Sequence, residues 1–86
     1  MAVVPVAQFF AKRVREELRE VFGKRNYKVK IEGGCVKVFI PKVASNVVEW
    51  LREYAVKFNM VERSSGYTEK YLRIEFCFEP VVERPS

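Results

Sequence analysis

The stretch YKVKIEGGCVKVFI, Tyr27 to Ile40, decides the fold. Two alternating runs flank Gly33-Gly34, the residue pair that a tight primed turn asks for, so the segment predicts a β-hairpin. With the glycines as the loop, Glu32 lies opposite Cys35 and the rest of the register follows. Ile31 then faces Val36, Val29 faces Val38 and Tyr27 faces Ile40, which makes one apolar side. The other side sets Lys30 against Lys37 and Lys28 against Phe39. Like charges facing each other across a strand pair destabilise it, so this second side needs a reason of its own.

Upstream of the hairpin, Pro5 suits the first position of a helix and Gly23 its end. Val6, Ala7, Phe10, Val14, Leu18, Val21 and Phe22 recur at three- and four-residue steps and predict one buried stripe. Phe9 falls on the polar side with Lys12, Arg13, Glu16 and Glu20; an exposed Phe is ordinary, and a contact surface is the alternative. Downstream, Pro41 is expected to open a second helix reaching about Phe58, with Ala44, Val47, Val48, Leu51, Tyr54, Ala55 and Phe58 inward. Val43 and Trp50 border that stripe, Trp50 as a boundary core residue or, alternatively, a stacking platform. A weak strand over about Met60 to Ser64, a loop at Ser65-Gly66 and a strong strand from Tyr71 to Phe78 follow. In the last strand Leu72, Ile74, Phe76 and Phe78 point one way, and Tyr71, Arg73, Glu75 and Cys77 the other. Pro80 ends it.

The order helix-hairpin, helix-hairpin suggests a duplication. At an offset of 33, Val14, Glu16, Leu18, Arg19, Glu20, Lys24 and Asn26 match Val47, Glu49, Leu51, Arg52, Glu53, Lys57 and Asn59. Chance similarity between two amphipathic helices rich in Leu, Glu and Arg is the alternative. The second hairpin needs about six extra residues in its loop, around SSGYTE. The expected fold class is α+β: a duplicated αββ unit, αββαββ, forming a four-stranded antiparallel sheet with both helices on one face. Such a sheet can leave its other face in water. A chain of 86 residues suits one domain, taken as residues 1–80, with 81–86 as a tail or linker remnant.

Composition narrows the chemistry. All 11 acids are glutamate, and there is no Asp and no His. That excludes a Ser-His-Asp triad, an imidazole base and a His-bearing metal cluster, so neither catalysis nor a metal is expected. Cys35 and Cys77 are too few for a four-ligand zinc site. They read as two reduced structural cysteines, with a disulfide between neighbouring strands as the alternative, more plausible in a hyperthermophile. Abundant Lys, Arg and Glu with few amides fits a protein from a hot environment. No run approaches a membrane span, and MAVVPVAQFF lacks the marks of a secretory signal, so a cytoplasmic protein is expected.

The net charge is +5, and it is unevenly spread. Up to Lys42 there are ten basic residues and four acids; from Val43 onward there are six and seven. The uncovered sheet face collects Lys28, Lys30, Lys37, Phe39, Tyr71, Arg73, Glu75 and Cys77, with Lys24 and Arg25 just before the first strand and Tyr67 in the second loop. Cations interleaved with aromatics on an open sheet are what single-stranded nucleic acid requires: cations track phosphates and rings accept bases. A phosphate between Lys30 and Lys37 would turn their repulsion into two charge-assisted contacts. The expected partner is therefore single-stranded DNA, or RNA, bound with little sequence preference through Lys24, Arg25, Lys28, Lys30, Lys37, Phe39, Tyr67, Tyr71 and Arg73. No cofactor and no small-molecule substrate is expected. A protein-interaction or homodimerisation module is the alternative, since edge lysines keep sheets apart and Tyr, Phe and Arg favour interfaces. A ribosome-associated RNA-binding role is another.

A basic, His-free α+β domain with sheet aromatics flanked by Lys and Arg, and a thermophile's composition, resembles the DNA-binding domain of ThermoDBP. These are the non-OB single-stranded DNA-binding proteins of Thermoproteales. The resemblance covers about Pro5 to Phe78 and implies sequence-tolerant binding in an aromatic-lined cleft edged by basic residues. The family's longer members carry a dimerising helical segment after this domain, so dimerisation stays open.

Overall fold

A computed structural model describes residues 6–79, so the expectations placed on Pro5, Pro80 and the tail lie outside it. The first helix, α1 (Val6–Phe22), buries Ala7, Phe10, Ala11, Val14 and Leu18. Val21 is not in that set: it is 59% exposed, because Phe22 takes the inner position at the end of the stripe. Gly23 closes the helix in a left-handed conformation (φ 77°), its N–H donating to the Arg19 carbonyl at 2.9 Å.

The hairpin forms as read from Lys28 to Phe39, but its first strand begins at Lys28, so the expected Tyr27–Ile40 pair is not part of the ladder. β1 (Lys28–Glu32) pairs antiparallel with β2 (Cys35–Pro41), placing Lys30 opposite Lys37, Lys28 opposite Phe39 and Glu32 opposite Cys35. Gly33 alone takes a left-handed φ (58°), the requirement of a primed turn with glycine first.

Pro41 does not start the second helix. It ends β2, where it pairs with Tyr71, and α2 spans Ser45–Lys57. Strand pairing overrides the helix-initiating preference of Pro, which is tolerated at the end of a strand. Val43 accordingly sits in the connecting turn, 92% exposed, rather than beside the helix stripe. Asn59 (φ 57°) turns the chain after α2.

The second hairpin departs most from expectation. β3 (Met60–Tyr67) and β4 (Tyr71–Phe78) are both 8 residues long, so Ser65, Gly66 and Tyr67 belong to a strand and not to a loop. The turn is short. Thr68 accepts from Tyr71 N–H through Oγ1 at 3.0 Å and donates its own N–H to the Tyr71 carbonyl at 2.8 Å. The added length therefore lies in the strands, and the register shifts between Glu62 and Ser64, which makes Arg63 the extra residue of a bulge.

The sheet runs β1-β2-β4-β3, with the second strand of each αββ unit at the centre and the first at an edge. Val38 pairs with Ile74 midway along the β2/β4 ladder. Both helices lie on one face, where Val36, Val38, Ile40, Ile74 and Phe76 join the helix stripes in a single core. Phe10 is its centre, fully buried and edge-on to Phe76 with centroids 5.5 Å apart. No polar side chain is buried among the described residues. At the β1 edge, Arg15 Nη2 donates to the Val29 carbonyl at 3.1 Å, occupying an acceptor that a foreign strand could otherwise use. Among the described residues, no helix is long and apolar enough to cross a membrane.

Candidate nucleic-acid interface

Directly opposed residues of an antiparallel sheet share a face, so the register alone maps the side away from the helices. Three rows cross it. The first reads Lys28, Phe39, Arg73, Gly66; the second Lys30, Lys37, Glu75, Ser64; the third Glu32, Cys35, Cys77, Val61. Pro41 and Tyr71 lie beyond the first row.

Phe39 is the centre of the basic end. Lys28 and Arg73 flank it within its row, Lys30 Nζ stands 5.9 Å from its ring centroid, and Tyr71 meets it edge-to-face at 6.3 Å. Phe39 and Tyr71 are thus neighbours on the two central strands, both half-buried, with their rings in edge-to-face contact. Arg73 reaches toward the outer strand: a Cβ on Gly66 would lie 3.9 Å from its Nη2. Among the described residues, no carboxylate forms a salt bridge with Lys28, Lys30 or Arg73.

Lys37 is different. Its ammonium lies 3.5 Å from Glu32 Oε2, and Glu75 stands directly opposite it on β4. The Lys30 and Lys37 repulsion is therefore answered within the protein, by two carboxylates on one side and by the Phe39 ring on the other. Lys24 and Arg25 are exposed in the turn that leads into β1. Tyr67, expected in a loop beside this face, instead ends β3 opposite Leu72 on the helix side, 72% exposed, with Lys42 Nζ 5.9 Å from its ring. The bulge at Arg63 sets this side, because one extra residue reverses which face each following residue of β3 takes.

The far end of the face carries a disulfide between Cys35 and Cys77, directly opposed on the central strands with Cα atoms 4.0 Å apart. The expectation of two reduced thiols gives way to its alternative. The bond joins the two αββ units covalently.

Two further features were not assembled from the sequence alone. A groove of about 530 Å³ between α2 and the second hairpin is lined by Val48, Arg52, Tyr67, Leu72 and Ile74. Its Arg52 is clamped by Glu62 at 2.6 and 3.4 Å, which raises the guanidinium's pKa and ties up the charge. On α2 Trp50 stacks on Tyr54 at 4.9 Å, and the Tyr54 hydroxyl accepts from Arg13 Nε of α1 at 2.9 Å. That hydrogen bond, with Glu16 nearby, raises the Arg13 pKa further above any working pH. Trp50 is half-buried against the core, as a boundary residue should be.

Compared with family models, curated proteins and solved structures, the chain matches none, so the site is argued from its own geometry.

Proposed function

We propose that the open sheet face binds single-stranded nucleic acid, single-stranded DNA first, without reading its sequence, in the manner of the ThermoDBP-type proteins that the chain resembles. One observation carries this reading: Phe39, edge-to-face with Tyr71, is surrounded by Lys28, Lys30 and Arg73, none of which is salt-bridged among the described residues. Bases would stack on the exposed parts of the two rings while the three cations take the flanking phosphates; Lys24 and Arg25 extend the track. Base–aromatic stacking tolerates any base, and the face offers few fixed donors and acceptors for reading base edges. The role is binding rather than catalysis. A cytoplasmic site in a thermophile is part of the proposal, and a disulfide there fits the habit of hyperthermophile proteins.

Anisotropy of a labelled oligo-dT, with duplex and oligo-U competitors across a salt series, tests it. Three to five phosphate contacts give a logarithmic salt slope of about −2 to −3.5 for a single strand. Tight, salt-sensitive binding that duplex cannot compete away supports the reading, and competition by oligo-U reports how far RNA shares the site. No binding at low salt refutes it.

A further inference from the structure

Away from its basic end, the open face holds a cluster of different chemistry. Cys35 and Cys77 are directly opposed, and Glu75 lies two residues from Cys77 and so on the same side. One ligand atom from each of the three comes within 4.8 Å of the others, and all three residues are half-buried. While the sulfurs are bonded to each other they cannot act as thiolates, so the oxidised protein has no metal-binding sulfur here.

We propose that reduction of the Cys35–Cys77 bond converts this cluster into a site for a thiophilic divalent cation, Zn²⁺ above all, with both thiolates and the Glu75 carboxylate as ligands. The reductant is a dithiol. Two electrons pass from it, the Cys35–Cys77 bond breaks as the dithiol closes its own, and its two protons go to the two cysteines. The cation then displaces those protons on binding.

Geometry favours the site. Zinc holds sulfur at about 2.3 Å and carboxylate oxygen at about 2.0 to 2.2 Å, which spaces tetrahedral sulfurs about 3.8 Å apart. Opposed cysteines on adjacent strands reach that spacing by rotating about χ1, with the backbone held in place. The ladder from Cys35 to Pro41 brackets them, and Phe78 N–H donates to the Gly34 carbonyl at 2.8 Å beside them. Ser64 Oγ donates to Glu75 Oε1 at 3.4 Å and orients the carboxylate, as outer partners of metal ligands do. Three protein ligands leave the fourth position to water. None of this needs the nucleic-acid site, which can fail or hold on its own.

The whole chain, reduced with a dithiol and desalted without oxygen, is titrated with Co²⁺ and followed by its thiolate-to-cobalt charge-transfer absorption, then challenged with Zn²⁺. One Co²⁺ per chain, displaced by Zn²⁺, is expected, with no absorption from the oxidised protein. C77S should lose the band, and E75Q should bind about tenfold or more weakly. Absence of the band in the reduced protein, an unchanged affinity in E75Q, or loss of the far-ultraviolet sheet signal on reduction each overturns the proposal.

Discussion

Cutting the Cys35–Cys77 bond should remove a large share of the fold's stability, and it should do so mainly through the unfolded chain. The bond closes a loop with a sequence separation of 42 residues. In the chain-entropy treatment a loop of that length restricts the unfolded ensemble by about 13 cal/mol/K, or about 4 kcal/mol at 25 °C. For a domain of this size each kcal/mol moves the melting temperature by roughly 4 to 8 °C, so a fall of about 15 to 30 °C is expected for C35A/C77A. Val36 to Pro41 pair with β4 along the backbone, independently of the sulfur atoms, so the native ladder is expected to survive in the variant. Thermal and urea unfolding of the wild type and the double variant, with hydrogen exchange on both, measure this directly. The urea slope should rise in the variant, since its unfolded chain exposes more surface. A loss below about 1 kcal/mol, or a loss accompanied by collapse of protection along β2 and β4 in the native state, would refute the entropic reasoning.

Other outcomes follow from the site and the core. K28A, K30A and R73A should each flatten the salt dependence of oligo-dT binding by about 0.7, whereas K37A, whose charge Glu32 and Glu75 already answer, should change it little. Fluorescence anisotropy across a salt series separates the two cases. F39A and Y71A should each cost about 1 to 3 kcal/mol of binding, measured in the same assay on variants whose circular dichroism is unchanged. F10A should destabilise by about 3 to 5 kcal/mol in urea unfolding, because that ring is fully buried among Tyr54, Phe58 and Phe76. R15A frees the Val29 carbonyl on the β1 edge, and light scattering should report more self-association with stability within about 1 kcal/mol of wild type.

Where local rules act alone, the chain was readable. Gly33-Gly34 fixed all five pairs of the first hairpin, and strict alternation separated the inward residues of β2 and β4 from the outward ones. Element order was readable for the same reason. What escaped depends on partners distant in sequence. Pro41 looks like a helix start until β4 arrives beside it and claims it for the sheet. The run Ser64-Ser65-Gly66 has no apolar alternation, so β3 is held by its pairing with β4 and not by its own pattern. Tyr67, read as a loop residue, is thereby drawn into the strand, and the bulge turns it to the helix side opposite Leu72. The disulfide was half legible: both cysteines were placed on the outward side, and only the strand order brings them together.

That strand order also decides what the duplication accomplishes. Neither αββ unit contains the proposed platform: Lys28, Lys30 and Phe39 come from the first, Tyr71 and Arg73 from the second, and they meet only where β2 pairs with β4. Antiparallel pairing of the two second strands places Phe39 opposite Arg73 and leaves each edge strand to supply the flanks. The same junction carries the Cys35–Cys77 bond, on the same two strands and four residues along each from Phe39 and Arg73. A covalent tie there holds the two halves of the site in register even when the ladder between them frays. The redox state of one bond is thereby linked to the integrity of the surface proposed to bind nucleic acid, so a reductant should weaken oligo-dT binding most at temperatures near the melting point of the reduced form and least well below it.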